Sequence, residues 1–210
     1  MEPKTITKFP SLDQHLARLF ITIQEKLFPD ITCYIAGGSA RKLYLKQELD
    51  ESDIDIWFKS KADLLRASEI LYKMPAAVIK AETTNGMTYV IVGGIKGSPF
   101  TSDVKIQLIS RNYYPDEISA VFGDFDFTIC QVIYNKGRLL ISEAAERDLR
   151  DMILRKNDGY TSALSTARFM KYMAHGYTPT LALFNAYFVD GREEIRPGDF
   201  AIDDMELYYA

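Results

Sequence analysis

At 210 residues and 47% apolar side chains, the chain is long enough to bury a core and too apolar for a disordered segment. Its formal charge of −4 and its sequence pI near 5.3 exclude a protein that coats nucleic acid through a uniformly basic surface, while leaving room for a small anionic substrate. Cys33 and Cys130 lie in apolar strand-like runs and read as buried reduced thiols, and no apolar run approaches the ~18 residues of a membrane span, so a soluble, cytoplasmic protein with no membrane partner is expected.

After a short irregular lead, Ser11-Leu12-Asp13 reads as a cap, and Leu16, Leu19, Phe20, Ile23 and Leu27 follow at helical spacing until Pro29-Asp30. Residues 31–36 form an apolar strand, Gly37-Gly38 a turn, 40–45 a helix, 46–52 a charged loop and 53–58 a second strand. A surface helix is expected over 61–72, then strands over 76–79, 88–92 and 104–109, with Gly93, Gly94, Gly97 and Pro99 marking the loop before the last. A short helix over 115–120 precedes a strand over 126–134, an Asn135-Lys136-Gly137 turn and the apolar pair Leu139-Leu140. From Ser142 the pattern turns helical, over 142–155, 161–175 and 180–188. The expected layout is an α/β head over 1–140, a helical extension over 141–189 and an acidic tail over 190–210, the tail being a candidate contact for a protein partner.

The chemistry concentrates in residues 37–58. Gly37-Gly38-Ser39 opens a helix, where unpaired backbone N–H groups and the helix dipole both favour a phosphate. Asp53 and Asp55 share one face of a strand because side chains alternate with a period of two, which turns Ile54 and Ile56 toward the core. A phosphate cradle and two adjacent carboxylates suit a nucleoside triphosphate and its magnesium.

Tyr34-Ile35-Ala36-Gly37-Gly38-Ser39-Ala40-Arg41 and Ser52-Asp53-Ile54-Asp55-Ile56-Trp57 resemble the polymerase-β-type nucleotidyltransferase superfamily. Asp126-Phe127-Thr128-Ile129-Cys130, continuing to Tyr134 and Gly137, is similar to the Asp-Phe-Thr-Ile-Asn-Ala segment of CCA-adding enzymes and bacterial poly(A) polymerases. Asp148-Leu149, Leu154-Arg155, Ala167-Arg168-Phe169 and His175-Gly176-Tyr177 echo the helical neck of that family. The resemblance implies a nucleotidyltransferase fold, a mixed sheet flanked by helices. It implies Asp53 and Asp55 as catalytic ligands of Mg2+ (or Mn2+), and Gly37, Gly38, Ser39 and Arg41 as contacts to the phosphates of an NTP. The reaction it implies is transfer of a nucleoside monophosphate to a hydroxyl acceptor on RNA, protein or a small molecule.

The departures from the pattern are specific. Lys105 falls where the third carboxylate of the metal site belongs, which leaves Asp126 or Asp103 as the nearest acids. Lys42 replaces the Asp after Gly-Gly-x-x-Arg, Cys130 replaces the Asn of the Asp-Phe-Thr-Ile-Asn segment, and the neck-like stretch 141–189 holds no Glu/Asp-x-x-Arg arrangement of the kind that selects a base in the family. The competing expectation is a degenerate member that keeps the fold as a binding, assembly or antitoxin-like regulatory protein. His15 and His175 lack the companions of a nucleophilic or zinc site.

Overall fold

The computed structural model describes residues 5–11, 14–49, 53–115, 117–162 and 164–188. Among these the order is β1 (Thr5–Lys8), α1 (His15–Thr22), β2 (Cys33–Ala36), α2 (Gly38–Leu45), β3 (Ile54–Phe58), α3 (Lys61–Lys73), β4 (Ala77–Thr83), β5 (Gly86–Ile91), β6 (Val104–Tyr113), β7 (Val132–Asn135), β8 (Arg138–Ser142), α4 (Glu143–Arg150), β9 (Ile153–Leu154), α5 (Thr166–Ala174), β10 (Thr178–Pro179) and α6 (Leu181–Phe188). Eight strands form one mixed sheet in the order β1-β8-β7-β2-β3-β6-β5-β4, with helices flanking it. β3 and β6 run parallel at its centre, and the other pairs in this sheet are antiparallel.

The centre of the sheet follows from its residues. β3 reads Ile54-Asp55-Ile56-Trp57-Phe58, and Ile54, Ile56 and Phe58 are fully buried. Each such side chain contributes roughly 1.5–3 kcal/mol of transfer free energy, enough to fix which face of β3 turns inward. Asp55 and Trp57 therefore share the other face with Asp53. Leu16, Leu19, Phe20 and Ile23 bury the inner stripe of α1 and its π-helical continuation Ile23–Leu27. Ser60, Ser142 and Ser165 cap α3, α4 and α5 by accepting from the N–H three residues on, at 3.1, 2.9 and 3.3 Å. One continuous apolar core runs from Leu16 to Leu183.

Four expectations change. The lead is not irregular: β1 pairs with β8, from Thr5 opposite Ser142 to Lys8 opposite Leu139. The strand expected over 126–134 begins only at Val132, because Thr128–Cys130 form a 3-10 turn in which Thr128 Oγ1 donates to Asp148 Oδ2 at 2.7 Å. The helix expected over 142–155 stops at Arg150; the chain then passes through Met152 at φ 54° into β9, which pairs in parallel with β10. Residues 118–124 form a 3-10 helix, shifted from the expected 115–120. Of the expected Ser11-Leu12-Asp13 cap, residues 12 and 13 lie outside the described residues, and α1 starts from Gln14 without a side-chain cap. The acidic tail over 190–210 also lies outside them.

Candidate active site

β2 delivers the chain to Gly37, which stands at φ 84° and ψ −136°. A Cβ at this position would lie 3.1 Å from Phe125 Cε1 and 3.3 Å from Asp55 Oδ2, so both the backbone angle and the close approach call for glycine. The Gly37 N–H donates to Val132 O at 2.9 Å, and its carbonyl accepts from Arg41 N at 2.9 Å, the first bond of α2. The next residue, Gly38, faces open space. The turn at the end of β2 and the Asp55 carboxylate on the paired strand β3 are thus neighbours.

Buried polar atoms without hydrogen-bond partners gather here. Among the described residues they include Ser39 Oγ, Arg41 Nε and Nη1, and Trp57 Nε1. Ser39 is fully buried and Arg41 is 5% exposed. Leaving a buried polar group unpaired costs about 1–3 kcal/mol, so such a group at the mouth of a helix is evidence of a missing polar partner. The Arg41 guanidinium is held 4.8 Å over the ring of Tyr172 from α5. The aromatic wall beyond Gly37 is Phe125, edge-on to Trp57 at 5.6 Å, with Trp57 in turn 6.0 Å from Tyr114.

Asp53 is exposed, and Asp55 keeps only part of its surface at the mouth of the cleft. Burial pushes the Asp55 carboxyl up to about 7. The positive charge of Arg168 opposes that rise, the neighbouring Asp53 adds to it, and Lys171 opposes it. Arg168, Lys171 and Tyr172 lie at helical spacing on α5, so a helix far along the chain brings two cations toward Asp55 and a ring under Arg41. Sequence reasoning had noted Ala167-Arg168-Phe169 only as an echo of a helical neck. The 168/171/172 spacing was the signal that could have found this face.

The acids considered for a third metal ligand are engaged elsewhere. Asp126 is buried and does not lie on a strand. Its Oδ2 accepts from Arg168 Nε at 2.7 Å, and its Oδ1 accepts from Arg168 Nη2 at 3.0 Å and from Phe127 N at 2.9 Å. Asp103 accepts from Gly93 N at 2.9 Å and closes the loop between β5 and β6. On β6 the residue opposite Asp55 is Gln107, and the same register carried two residues back sets Lys105 opposite Asp53. Lys42 is structural here: its Nζ donates to Leu49 O at 3.0 Å and ties down the loop after α2. Cys130 is buried with Sγ 3.1 Å from Tyr172 Oη.

Among the described residues no three His, Cys, Asp or Glu side chains are grouped to hold a metal ion. The donors present are two hard carboxylates beside a helix N-terminus. They fit a magnesium ion that takes one or two carboxylates and completes its shell with substrate phosphates and water. A separate surface groove, lined by Arg18, Ile21, Thr22, Lys26 and Gly97–Pro99, shares no residue with this cleft. No helix among the described residues is long and apolar enough to cross a membrane.

The parallel β3–β6 centre, the glycine turn and the acid-bearing strand define a nucleotidyltransferase-fold protein, and solved structures bear out the fold. A tRNA-processing enzyme in an apo form superposes with a TM-score of 0.55 at 17% identity, covering 84% of this chain and 50% of that one. A CCA-adding enzyme in complex with ATP gives 0.54 at 17% identity, over 87% and 45%. A complex of CCA-adding enzyme with CTP gives 0.50 at 18%, over 83% and 40%. The chain spans half or less of the length of these structures. Residues 11–151 match the profile of the Gad2 family, Gabija anti-defense 2, and the chain belongs to that family. No curated protein sequence matches it.

Proposed function

We propose that the cleft between the 37–41 turn and the Asp53/Asp55 strand binds a nucleoside triphosphate and transfers its nucleoside monophosphate to a hydroxyl acceptor. The observation that carries this reading is the set of unpaired buried donors in the first turn of α2, Ser39 Oγ and Arg41 Nε and Nη1, on the helix opened by the Gly37–Gly38 turn, whose Gly37 closely approaches the Asp55 carboxylate. An anion with several acceptor oxygens would satisfy them together, and a triphosphate is such an anion. The CCA-adding enzymes of similar fold that hold ATP or CTP support a nucleotide in this position.

Each residue has a role in this reading. Gly37 and Gly38 let the backbone approach the phosphates, Ser39 and Arg41 donate to them, and Tyr172 holds Arg41 in place. Asp53 and Asp55 would hold Mg2+ or Mn2+, whose chemistry when bound is polarisation of the phosphoryl oxygens. The acceptor oxygen bonds to the α-phosphorus and the bond from that phosphorus to the bridging oxygen breaks. Pyrophosphate leaves, and the hydroxyl proton passes to a carboxylate of the pair. Residues 1–140 would serve as the catalytic head, with 141–189 contributing Arg168, Lys171 and Tyr172. The description of the family, Gabija anti-defense 2, supports a purpose in opposing a Gabija defence, and in this reading the acceptor would be a protein, RNA or small molecule on which that defence depends.

A second reading has one observation in its favour. Lys105 beside Asp53 weakens a carboxylate metal site, as expected of a member that binds nucleotide or a protein without transfer. Incubation with α-labelled NTPs, Mg2+ or Mn2+ and extracts containing RNA and protein separates the two. Transfer that falls roughly a hundredfold or more in Asp53→Asn/Asp55→Asn supports the enzyme. Nucleotide binding without any transfer supports the binding protein.

A further inference from the structure

The charge around the carboxylate pair is not that of a site built for two metal ions. A two-metal clamp holds its ions about 4 Å apart and needs enough carboxylates to offset four positive charges. Here the strand face offers Asp53 and Asp55. The register sets Gln107, a neutral amide, opposite Asp55, and continued one residue before the Ile54–Ile106 pair it sets Lys105 opposite Asp53; Lys105 is partly buried. The two other acids considered for the site are already committed, Asp126 to Nε and Nη2 of Arg168 and Asp103 to the Gly93 N–H. Arg168 and Lys171 add positive charge toward Asp55 from α5. Any second dication would enter beside Lys105, with no third carboxylate among the described residues grouped to offset it.

We infer that this site takes a single divalent cation, together with the nucleotide, and that the Lys105 ammonium stands in for the second. This inference rests on the reading that the cleft binds a nucleoside triphosphate. In it Lys105 is a charge-supplying residue of the site, and Gln107 is the neutral spacer that keeps one ion's shell from being overfilled. The single ion is shared between the carboxylate pair and the phosphates, so its affinity without nucleotide is weak.

The test counts ions. The full chain is mixed with limiting α,β-methylene-ATP, and separately with the CTP counterpart, and titrated with Mn2+ while free Mn2+ is followed by electron paramagnetic resonance. Calorimetry without metal and with Mg2+ records whether the nucleotide binds at all. One Mn2+ per bound nucleotide in the wild type, rising to two in Lys105→Glu or Gln107→Glu, is the expected result. Circular dichroism and melting of each variant show that it is folded, and the wild-type count stands even where a variant is not. Two ions in the wild type, none with nucleotide bound, or one in the wild type and in both folded variants, would overturn the inference while leaving the nucleotide site standing. No binding of either nucleotide would overturn the nucleotide site and this inference with it.

Discussion

The Arg41 guanidinium lies 4.8 Å over the ring of Tyr172, joining the first turn of α2 to a helix that begins only at Thr166. Tyr172 is 4% exposed, and its hydroxyl lies 3.1 Å from Cys130 Sγ, so its ring is fixed from both sides. A cation over an aromatic face gains about 0.5–2 kcal/mol and loses side-chain freedom, which preorganises Arg41 for an anion. Replacing Tyr172 by Phe keeps the ring and is expected to change nucleotide affinity less than about threefold. Tyr172→Leu removes the ring's charge distribution and should weaken binding by roughly tenfold, measured by calorimetry on protein whose fold is confirmed by circular dichroism.

Ser39→Ala separates a ligand contact from a structural one by sign. The hydroxyl is buried and unpaired in the free protein, so removing it should leave the melting temperature unchanged or slightly raised. The same change should cost about 1 kcal/mol of nucleotide affinity, roughly fivefold. A Ser39→Ala protein that melts several degrees lower would mean the hydroxyl serves the fold.

The two glycines of the turn should behave differently. Gly37→Ala forces a side chain into a left-handed conformation at φ 84°, with Phe125 and Asp55 at 3.1 and 3.3 Å, and should cost on the order of 2 kcal/mol in denaturant unfolding. Gly38→Ala meets nothing within 4 Å and should fold as well as the wild type. Its methyl group would project into the space proposed for the phosphates, so affinity should fall where stability does not.

Asp55 gives the ligand-free protein a pH dependence of defined sign. Its folded-state value of about 7 stands above the ordinary 3.8, so the folded chain holds this proton more tightly than the unfolded chain. The contribution to stability is complete below 3.8 and is lost as pH rises through about 7. At ~1.4 kcal/mol per unit, reduced because the carboxyl keeps some contact with water, the loss is on the order of 2 kcal/mol. Asp55→Asn should flatten this part of the urea-stability profile between pH 4.5 and 8 and be the more stable protein at pH 8. A profile unchanged by the substitution would place the titration elsewhere.

How much of this was legible before the coordinates depended on how local the cause was. The β2–turn–α2–β3 run could be read directly, because Gly37, Gly38 and the Ile54/Ile56 alternation act within a few residues. The turn at Asn135-Lys136-Gly137 was equally plain, and Lys136 and Gly137 both take positive φ there, but that Arg138–Ser142 forms a strand pairing back on Val132–Asn135 was not read from the sequence. β1 was hidden because a polar Thr5–Lys8 segment becomes a strand only through its pairing with Leu139–Ser142. Thr128-Ile129-Cys130 has the alternation of a strand, but the bond from Thr128 to the buried Asp148 turns the chain instead. The third acid could not be judged from spacing. Asp126 looks like a sheet carboxylate until Arg168, from α5, takes both of its oxygens. The opposition of Asp55 and Gln107 needed the β3–β6 register, two residues along from the alignment that pointed to Lys105.

The most direct measurement is the melting temperature of the full chain with each of the four NTPs and Mg2+, wild type beside Ser39→Ala/Arg41→Met. A ligand at a hundred times its Kd stabilises the folded state by about 2.7 kcal/mol, a rise of roughly 5–10 °C for a chain of this size. At least one NTP should produce such a rise in the wild type, and the double variant, itself folded, should lose most of it. No rise with any of the four, or an undiminished rise in the double variant, would contradict a triphosphate seated on the 37–41 turn.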